Sequence, residues 1–217
     1  MKKIVCLLLT ALICTLLYPS LAFANPNQLS SEEVFERDAV KQLVDEVRSK
    51  EVMPDKVDEG VSRNTSLQMK AVRSIGVYPR RKGVILVTRD PYKGLIPTGH
   101  AAIIYTNIHV VESVARGVVV GANNWDKTKH TCYGVTVNET TNMQDKIAAN
   151  WCKDQEGKPY NYNYLDTGTR RCFYCSQLIW ASFKDNFGID LNTGHFGNAI
   201  HPMELVWTNK TRLIYEK

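Results

Sequence analysis

One cysteine of this 217-residue chain lies at the start of a predicted helix, a position that suits a catalytic nucleophile. Residues 174–187 carry apolar side chains at helical spacing and stop at Gly188, so they predict a helix with Cys175 in its first turn. Unpaired backbone N–H groups and the helix dipole stabilise an anion there. The pKa of such a thiol falls below its ordinary value of about 8.5, which makes it a ready nucleophile.

A lone cysteine near an apolar helix can be an ordinary buried side chain, so the interpretation as a nucleophile requires a base beside the thiol. Among the five histidines, His100 opens a predicted strand at residues 101–105, and a strand end is a rigid mount for a base. His201 precedes a proline in a predicted loop and is the competing candidate. The other three are predicted to be surface residues: His109, His130 and His195.

A carboxylate occupies an otherwise apolar strand that follows the one opened by His100. Residues 110–114 predict this strand, and Glu112 lies in its middle. If the two strands pair antiparallel, Glu112 lies near the His100 ring, where it fixes the tautomer and stabilises the imidazolium. The alternative is a glutamate that faces solvent on an edge strand.

The first 24 residues have the pattern of a secretory leader. Two lysines precede an apolar run at residues 4–17, and the small-x-small pattern Ala22-Phe23-Ala24 follows, so we expect cleavage before Asn25. The mature chain is then secreted or located in the cell envelope, without stable membrane insertion. An uncleaved anchor is the alternative, although the apolar run is short for a membrane span.

Charge gives only a weak indication of partners. Loss of the leader lowers the formal net charge from +5 to +3, a mild bias toward anionic envelope polymers. Basic residues do not cluster among aromatic ones, so no nucleic-acid site is predicted. The sequence does not determine the oligomeric state.

Four cysteines remain outside the leader: Cys132, Cys152, Cys172 and Cys175. A secreted chain with an even cysteine count favours disulfides, but a free nucleophile leaves at most one bridge, and the sequence does not determine which pair it joins. Cys172 is either a bystander or a disulfide partner of Cys132 or Cys152. Cys172 and Cys175 also form a C-x-x-C pair. Zinc binding would need two further ligands, and redox chemistry would need a βαβ context.

An α+β fold with a helical N-terminal segment is predicted around these residues. A first helix begins at Ser30 with a capping box to Glu33 and carries an apolar stripe of Val40, Leu43, Val44 and Val47. A linker is predicted at residues 55–64. The remaining predicted elements are a helix at 67–75, strands at 83–88, 101–105, 110–114 and 117–120, and helices at 142–153 and 174–187. The stripe either braces the sheet or forms a wall of the active-site cleft.

The segment at residues 157–191 resembles NlpC-type cell-wall cysteine peptidases. In that family a Gly-x-Pro-Tyr loop, here Gly157 to Tyr160, precedes by about fifteen residues a Cys-Ser pair at the head of a helix, here Cys175. Residues 82–120 resemble the Gly-His strand of the family and the strand after it. The histidine precedes the cysteine in this chain, which is the order of the circularly permuted, YiiX-like branch.

This resemblance implies a fold, a domain organisation and roles for four residues. After the leader at 1–24 and the helical segment at 25–75, it implies a permuted papain-like domain at 76–217 with a small antiparallel sheet packed on the nucleophile helix. Cys175 is then the nucleophile, His100 the base, Glu112 the orienting third member, and Tyr160 lines the site near the oxyanion. Tyr174 and Glu112 depart from the usual Asp before the nucleophile and the usual His or Asn third member.

The resemblance also implies a substrate class. The expected substrate is an amide bond of a cell-wall peptide, cleaved through an acyl-enzyme without a cofactor or metal. A lipid or acyl-ester hydrolase or acyltransferase with the same Cys-His pair is the first alternative. An inactive wall-binding module is the second, and the presence of Cys175, His100 and Glu112 argues against it.

Overall fold

The structure is a computed structural model that describes residues 28–56, 76–91, 96 and 99–217. The expected leader at 1–24 and the helix expected at 67–75 lie outside these ranges. No helix in the described ranges is long and apolar enough to cross a membrane.

A six-stranded antiparallel sheet, in the order β4-β3-β2-β1-β5-β6, forms the centre of the described structure. Its strands are β1 (Ile85–Thr88), β2 (His100–Thr106), β3 (His109–Val114), β4 (Gly117–Ala122), β5 (Tyr133–Val137) and β6 (Thr211–Glu216). Four of them lie within two residues of the predicted strands at each end, whereas β5 and β6 have no predicted counterpart. The helices are α1 (Ser31–Val34), α2 (Arg37–Val47), α3 (Trp125–Thr128), α4 (Asn142–Asp154), α5 (Cys175–Phe187) and α6 (Glu204–Trp207). The predicted α+β class is confirmed.

Side chains alternate along each strand, so the sheet contributes apolar residues to a cluster on each of its two faces. On β1, Ile85 and Val87 belong to the larger core, whereas Leu86 belongs to a smaller cluster. Helices α4 and α5 pack over the larger core, mainly against β2. Residues 175–183 of α5 are all buried, so the helix that carries Cys175 is enclosed on every side and held rigidly.

The N-terminal helix is broken at Phe35, where a single helix is predicted. Ser30 and Glu33 form the predicted capping box. Phe35 then leaves the helical conformation, with φ −112° and ψ 79°, and its fully buried ring packs against the rings of Tyr164, Phe196 and His201. Burial of a phenylalanine contributes about 1.5–3 kcal/mol, enough to outweigh a continuous helix. The predicted stripe on α2 is buried in the larger core, and α2 packs against α6.

A buried ion cluster joins the end of the N-terminal segment to the sheet and to α4. Fully buried Asp145 pairs with Lys56 at 2.9 Å and with Arg81 at 2.7 Å. Arg81 also donates two hydrogen bonds to Asp55. Thr140 donates a further hydrogen bond to Asp145 at 2.5 Å. The start of the predicted linker, residues 55 and 56, is therefore an anchored part of the fold.

We expect Asp145→Asn to destabilise the fold by about 3–5 kcal/mol, because it removes the buried charge that two partly buried cations share. The matched control is Asp45→Asn, which breaks exposed pairs with Lys41 and Arg48 and should change the stability little, because water screens them. Urea unfolding measures both variants. Equal losses would show that the cluster does not hold the N-terminal segment in place.

Candidate active site

The position of Cys175 is fixed from two sides at the start of α5. Gln177 Oε1 accepts a hydrogen bond from the backbone N–H of Tyr174, the N-cap residue. Ser113, the residue after Glu112 on β3, donates to the carbonyl of Phe173 at 2.6 Å. The strand that carries Glu112 and the helix that carries Cys175 are thereby tied together two residues before the thiol.

His100, Glu112 and Cys175 come together in the structure, as the sequence predicts. His100 is the first residue of β2, and its partner strand β3 places Glu112 opposite Ala102, two residues along on the same face. His100 Nε2 lies 2.6 Å from Glu112 Oε2, and the ring is also hydrogen-bonded with the Cys175 thiol. Because Nε2 is hydrogen-bonded with Glu112, Nδ1 is the ring nitrogen that remains for the Cys175 thiol.

The pKa of His100 is raised by its two partners. Burial alone would lower it, but the hydrogen bonds and charges of Cys175 and Glu112 outweigh burial and raise the pKa of His100 to about 9. The ring therefore carries a proton at neutral pH. An imidazolium in contact with the thiol stabilises the thiolate, which is the nucleophilic form.

Glu112 reaches His100 only because β4 has no side chain at Gly121. A Cβ built at Gly121 would lie 2.1 Å from Glu112 Oε1, well inside van der Waals contact. The backbone conformation at this position is one that any residue adopts, so Gly121 is required for space. A glycine inside a β-branched run is the sequence signal for such a close approach.

Trp125 covers one face of the His100 ring. The two rings stack with centroids 5.6 Å apart and an interplanar angle of 27°. Trp125 is the first residue of α3 and is itself buried, so it shields the imidazole from water and restricts its rotation. Sequence reasoning missed this residue because its contact with β2 depends on the path of the chain after β4.

Tyr160, which the resemblance to NlpC-type peptidases predicts to line the site, lies beside the start of α5. A parallel bridge to Phe173 holds its backbone there. Burial and the nearby Cys175 charge raise the pKa of Tyr160, so its hydroxyl keeps its proton. That hydroxyl neighbours the Tyr164 hydroxyl, but no protein atom in the described ranges completes a well-aligned hydrogen bond to it.

The competing histidine, His201, lies in the interior of the protein. It is fully buried, and its Nδ1 accepts a hydrogen bond from the backbone N–H of Met203 at 3.1 Å. Burial lowers the pKa of His201 to about 3, so the ring is neutral at physiological pH. His109 and His130 are exposed as predicted, whereas His195 is half-buried against Phe196 and Trp207.

All four cysteines of the described ranges are free thiols, so the single bridge that the sequence allows is not formed among them. Cys132 and Cys152 lie in different hydrophobic clusters, and burial raises the pKa of each to about 12. Cys172 is half-buried and hydrogen-bonds with Thr169. Across the described residues, no three His, Cys, Asp or Glu side chains converge as metal ligands would, so the zinc alternative for Cys172 and Cys175 has no supporting geometry.

The strand that carries His100 precedes the helix that carries Cys175 in the chain, and the two side chains meet at the start of β2 in an antiparallel sheet. This arrangement is that of a permuted papain-like protein. The sequence profile of the family described as "Permuted papain-like amidase enzyme, YaeF/YiiX, C92 family" matches residues 93–204, about half of the chain. The chain belongs to this family, which confirms the predicted YiiX-like relationship and the permuted papain-like fold.

Two further proteins are similar to this chain. The uncharacterised protein YycO of Bacillus subtilis (strain 168) is 28% identical over 137 residues, which are 61% of this chain and 55% of YycO. This chain therefore spans about half the length of that curated relative. The crystal structure of the metalloprotein yiiX from Escherichia coli O157:H7 covers 64% of this chain and 98% of its own, with a TM-score of 0.47 and 12% identity.

We expect iodoacetamide at pH 6 to alkylate Cys175 at least about tenfold faster than Cys172, because only Cys175 has both a helix N-terminus and an imidazolium partner. Cys132 and Cys152 should stay unmodified in the folded protein. Peptide mapping by mass spectrometry gives the order of reaction. His100→Asn should remove the advantage of Cys175, and faster modification of Cys172 would mean that the nucleophile is assigned three residues too late.

Gly121→Ala should displace the Glu112 carboxylate and so lower the pKa of His100, because one of the partners that raise it is lost. The matched control is Gly168→Ala, where the added methyl would meet only Asp166 Oδ1 at 3.8 Å. Titration of the His100 ring by NMR measures the pKa in both variants. An unchanged His100 titration in a folded Gly121→Ala protein would show that Glu112 has another route to the ring.

Proposed function

We propose that this protein is a secreted cysteine amidase that cleaves amide bonds of cell-wall peptides through an acyl-enzyme. The observation that carries the proposal is that the buried His100 ring is hydrogen-bonded with both Cys175 and Glu112. These two partners raise the pKa of His100 to about 9. A thiol, an imidazole and a carboxylate in this arrangement have the roles of nucleophile, acid-base and orienting group.

The first half of the reaction forms the acyl-enzyme. The Cys175 thiolate attacks the carbonyl carbon, and the carbonyl oxygen becomes an oxyanion. As the C–N bond breaks, protonated His100 gives its proton to the leaving amine, and a thioester remains on Cys175. Glu112 holds the ring in the tautomer that keeps one nitrogen directed at the thiol.

The second half returns the enzyme to its starting state. Neutral His100 takes a proton from a water molecule, whose oxygen attacks the thioester carbon. The bond to sulfur then breaks, which releases the carboxylic acid and restores the thiolate and the imidazolium. This sequence uses only side chains of the protein and water.

The oxyanion is stabilised by donors at the start of α5. Backbone N–H groups in the first turn of a helix have no intrahelical partner and point at the negative charge. The Tyr160 hydroxyl is buried beside Cys175, stays protonated and has no well-aligned acceptor among the described residues. It is therefore available to donate to the substrate oxygen.

The substrate class and location rest on other support. The family is described as amidases, and the Gly157 to Tyr160 loop with Cys175 resembles the corresponding segment of cell-wall peptidases. The leader pattern at residues 1–24 would deliver the protein to the cell envelope, where those peptides occur.

The test is hydrolysis of soluble muropeptides and short fatty-acyl esters, followed side by side by mass spectrometry. We expect cleavage of muropeptide amides, with all turnover lost in Cys175→Ala. Turnover of esters alone would replace the wall-peptide proposal by acyl-ester hydrolysis. Absence of turnover together with muropeptide binding would indicate a binding module.

The pH dependence of kcat/KM tests the role of Glu112. Since the imidazolium is required and the pKa of His100 is about 9, activity should fall as the pH rises through about 9. Glu112→Gln should retain more activity than Cys175→Ala, and its basic limb should move to lower pH because a raising influence on His100 is lost. The control, Glu139→Gln at an exposed site, should keep the wild-type profile. A wild-type profile in Glu112→Gln would remove Glu112 from the site.

A further inference from the structure

The side chain that stacks on the His100 ring belongs to a helix that is too short to hold its own position. Helix α3 has four residues, and a helix of this length is unstable in water without contacts to the rest of the fold. Its first residue, Trp125, is buried, and the centroid of its indole lies 5.6 Å from that of the His100 ring. The contacts that fix α3 therefore also fix the indole against the catalytic base.

A tyrosine that precedes β1 holds the start of α3. The Tyr78 hydroxyl accepts a hydrogen bond from the backbone N–H of Trp125 at 3.0 Å and donates one to Asn123 Oδ1 at 2.6 Å. The Asn123 side-chain amide in turn donates to the carbonyl of Asn107, in the turn between β2 and β3. The Tyr78 ring packs edge-on against the ring of Tyr215 on β6, with centroids 5.3 Å apart. The hydroxyl thus acts as both donor and acceptor at the start of the helix.

A lysine that follows β6 holds the other end of α3. Lys217 Nζ donates to the backbone carbonyls of Asp126 and Lys129, each at 2.7 Å. Carbonyls at the end of a helix have no partner within the helix, so these bonds stabilise its last turn. Tyr78 and Lys217 lie on opposite sides of the residues 93–204 that the family profile matches. Two residues outside that match therefore hold the helix that carries Trp125.

The hydrogen bonds that orient the His100 ring do not all last through the proposed reaction. In the resting protein the ring is hydrogen-bonded with both Glu112 and the Cys175 thiol. Once an acyl group is on the sulfur, Cys175 offers the ring neither a proton nor a negative charge. Glu112 then holds one ring nitrogen, and the ring plane can tilt about that end. Stacking against Trp125 covers one face of the ring and restricts this tilt.

Hydrolysis of the acyl-enzyme is the step that uses the ring in this state. Neutral His100 takes a proton from water, and the oxygen of that water attacks the thioester carbon. The C–S bond then breaks, which releases the carboxylic acid and restores the thiolate and the imidazolium. Proton transfer requires the nitrogen to lie within hydrogen-bond reach of the water, so a tilted ring slows this step.

We propose that Trp125, held by the Tyr78 hydroxyl, is a positioning residue that keeps the His100 ring directed at the attacking water while Cys175 is acylated. The inference rests on the proposed cysteine chemistry and does not depend on the identity of the natural substrate. It gives Tyr78 a specific effect on the second half of the reaction. The competing interpretation is that Tyr78 and Trp125 only brace the smaller hydrophobic cluster.

The ester p-nitrophenyl acetate separates the two halves of the reaction. The Cys175 thiolate attacks its carbonyl carbon, the C–O bond breaks, and p-nitrophenolate leaves without a proton from His100. The absorbance of p-nitrophenolate gives the rate of acetylation in a single turnover with enzyme in excess. The acetyl thioester on Cys175 needs His100 as the base for its hydrolysis. Intact-mass spectrometry of quenched samples gives the rate at which this adduct disappears.

Tyr78→Phe should slow hydrolysis of acetyl-Cys175 about fivefold, the scale of one neutral hydrogen bond, and leave acetylation within about twofold of wild type. Trp125→Leu should slow hydrolysis about tenfold, and Trp125→Phe, which keeps an aromatic face, should recover most of that loss. The matched control is Tyr215→Phe, which removes a hydroxyl from the ring packed against Tyr78 and should hydrolyse the adduct as wild type does. Because Tyr78→Phe keeps every buried ring, it decides the question even where Trp125→Leu does not fold.

A double variant distinguishes positioning from bracing. Tyr78→Phe should have no further effect on hydrolysis in a Trp125→Leu background, because its influence passes through the indole. Equal slowing of acetylation and hydrolysis, or wild-type hydrolysis by Tyr78→Phe, would reduce the pair to a brace. Absence of acetyl-Cys175 in the wild type, or hydrolysis of it no faster than in His100→Asn, would instead overturn the proposed function itself.

Discussion

The contacts of His100 with Cys175 and Glu112 set the charge on which the rest of the site depends. A buried imidazole without a carboxylate loses its proton, because burial penalises the charged form. With Glu112 Oε2 at 2.6 Å and the thiol hydrogen-bonded to the same ring, the balance reverses and the pKa of His100 rises to about 9. The proton is therefore in place before substrate arrives.

The contact between His100 and Glu112 requires the register of three strands. Pairing of β2 with β3 brings Glu112 within reach of His100, and pairing of β3 with β4 places Gly121 where the carboxylate needs space. A slip of one residue would turn Glu112 to the opposite face of the sheet. Ser113, whose hydroxyl holds the Phe173 carbonyl, would turn with it, and the tie to the start of α5 would be lost.

The sequence predicts the parts of the site that follow from local pattern. Helical periodicity predicts the position of Cys175 in its helix, and the β-branched run after His100 predicts that this residue begins a strand. Both predictions depend only on neighbours along the chain. Trp125 acts through space, so no local pattern identifies it. Gly121 has a local signal, a glycine inside a β-branched run, but that signal does not name Glu112 as the side chain for which it leaves space. The same limit applies to β5, where Gly134 interrupts the apolar run, and to the break at Phe35, which tertiary burial imposes on a segment with helical propensity.

The N-terminal segment cannot be separated from the site by removing it. Five of its side chains, Phe35 with the stripe of Val40, Leu43, Val44 and Val47, are buried in the core that contains Cys175. At about 1.5–3 kcal/mol each, their burial is comparable to the 5–15 kcal/mol by which whole domains are stable. Deleting the segment would therefore unfold the protein, so only substitutions that leave these five side chains in place can separate a role at the active site from bracing of the core.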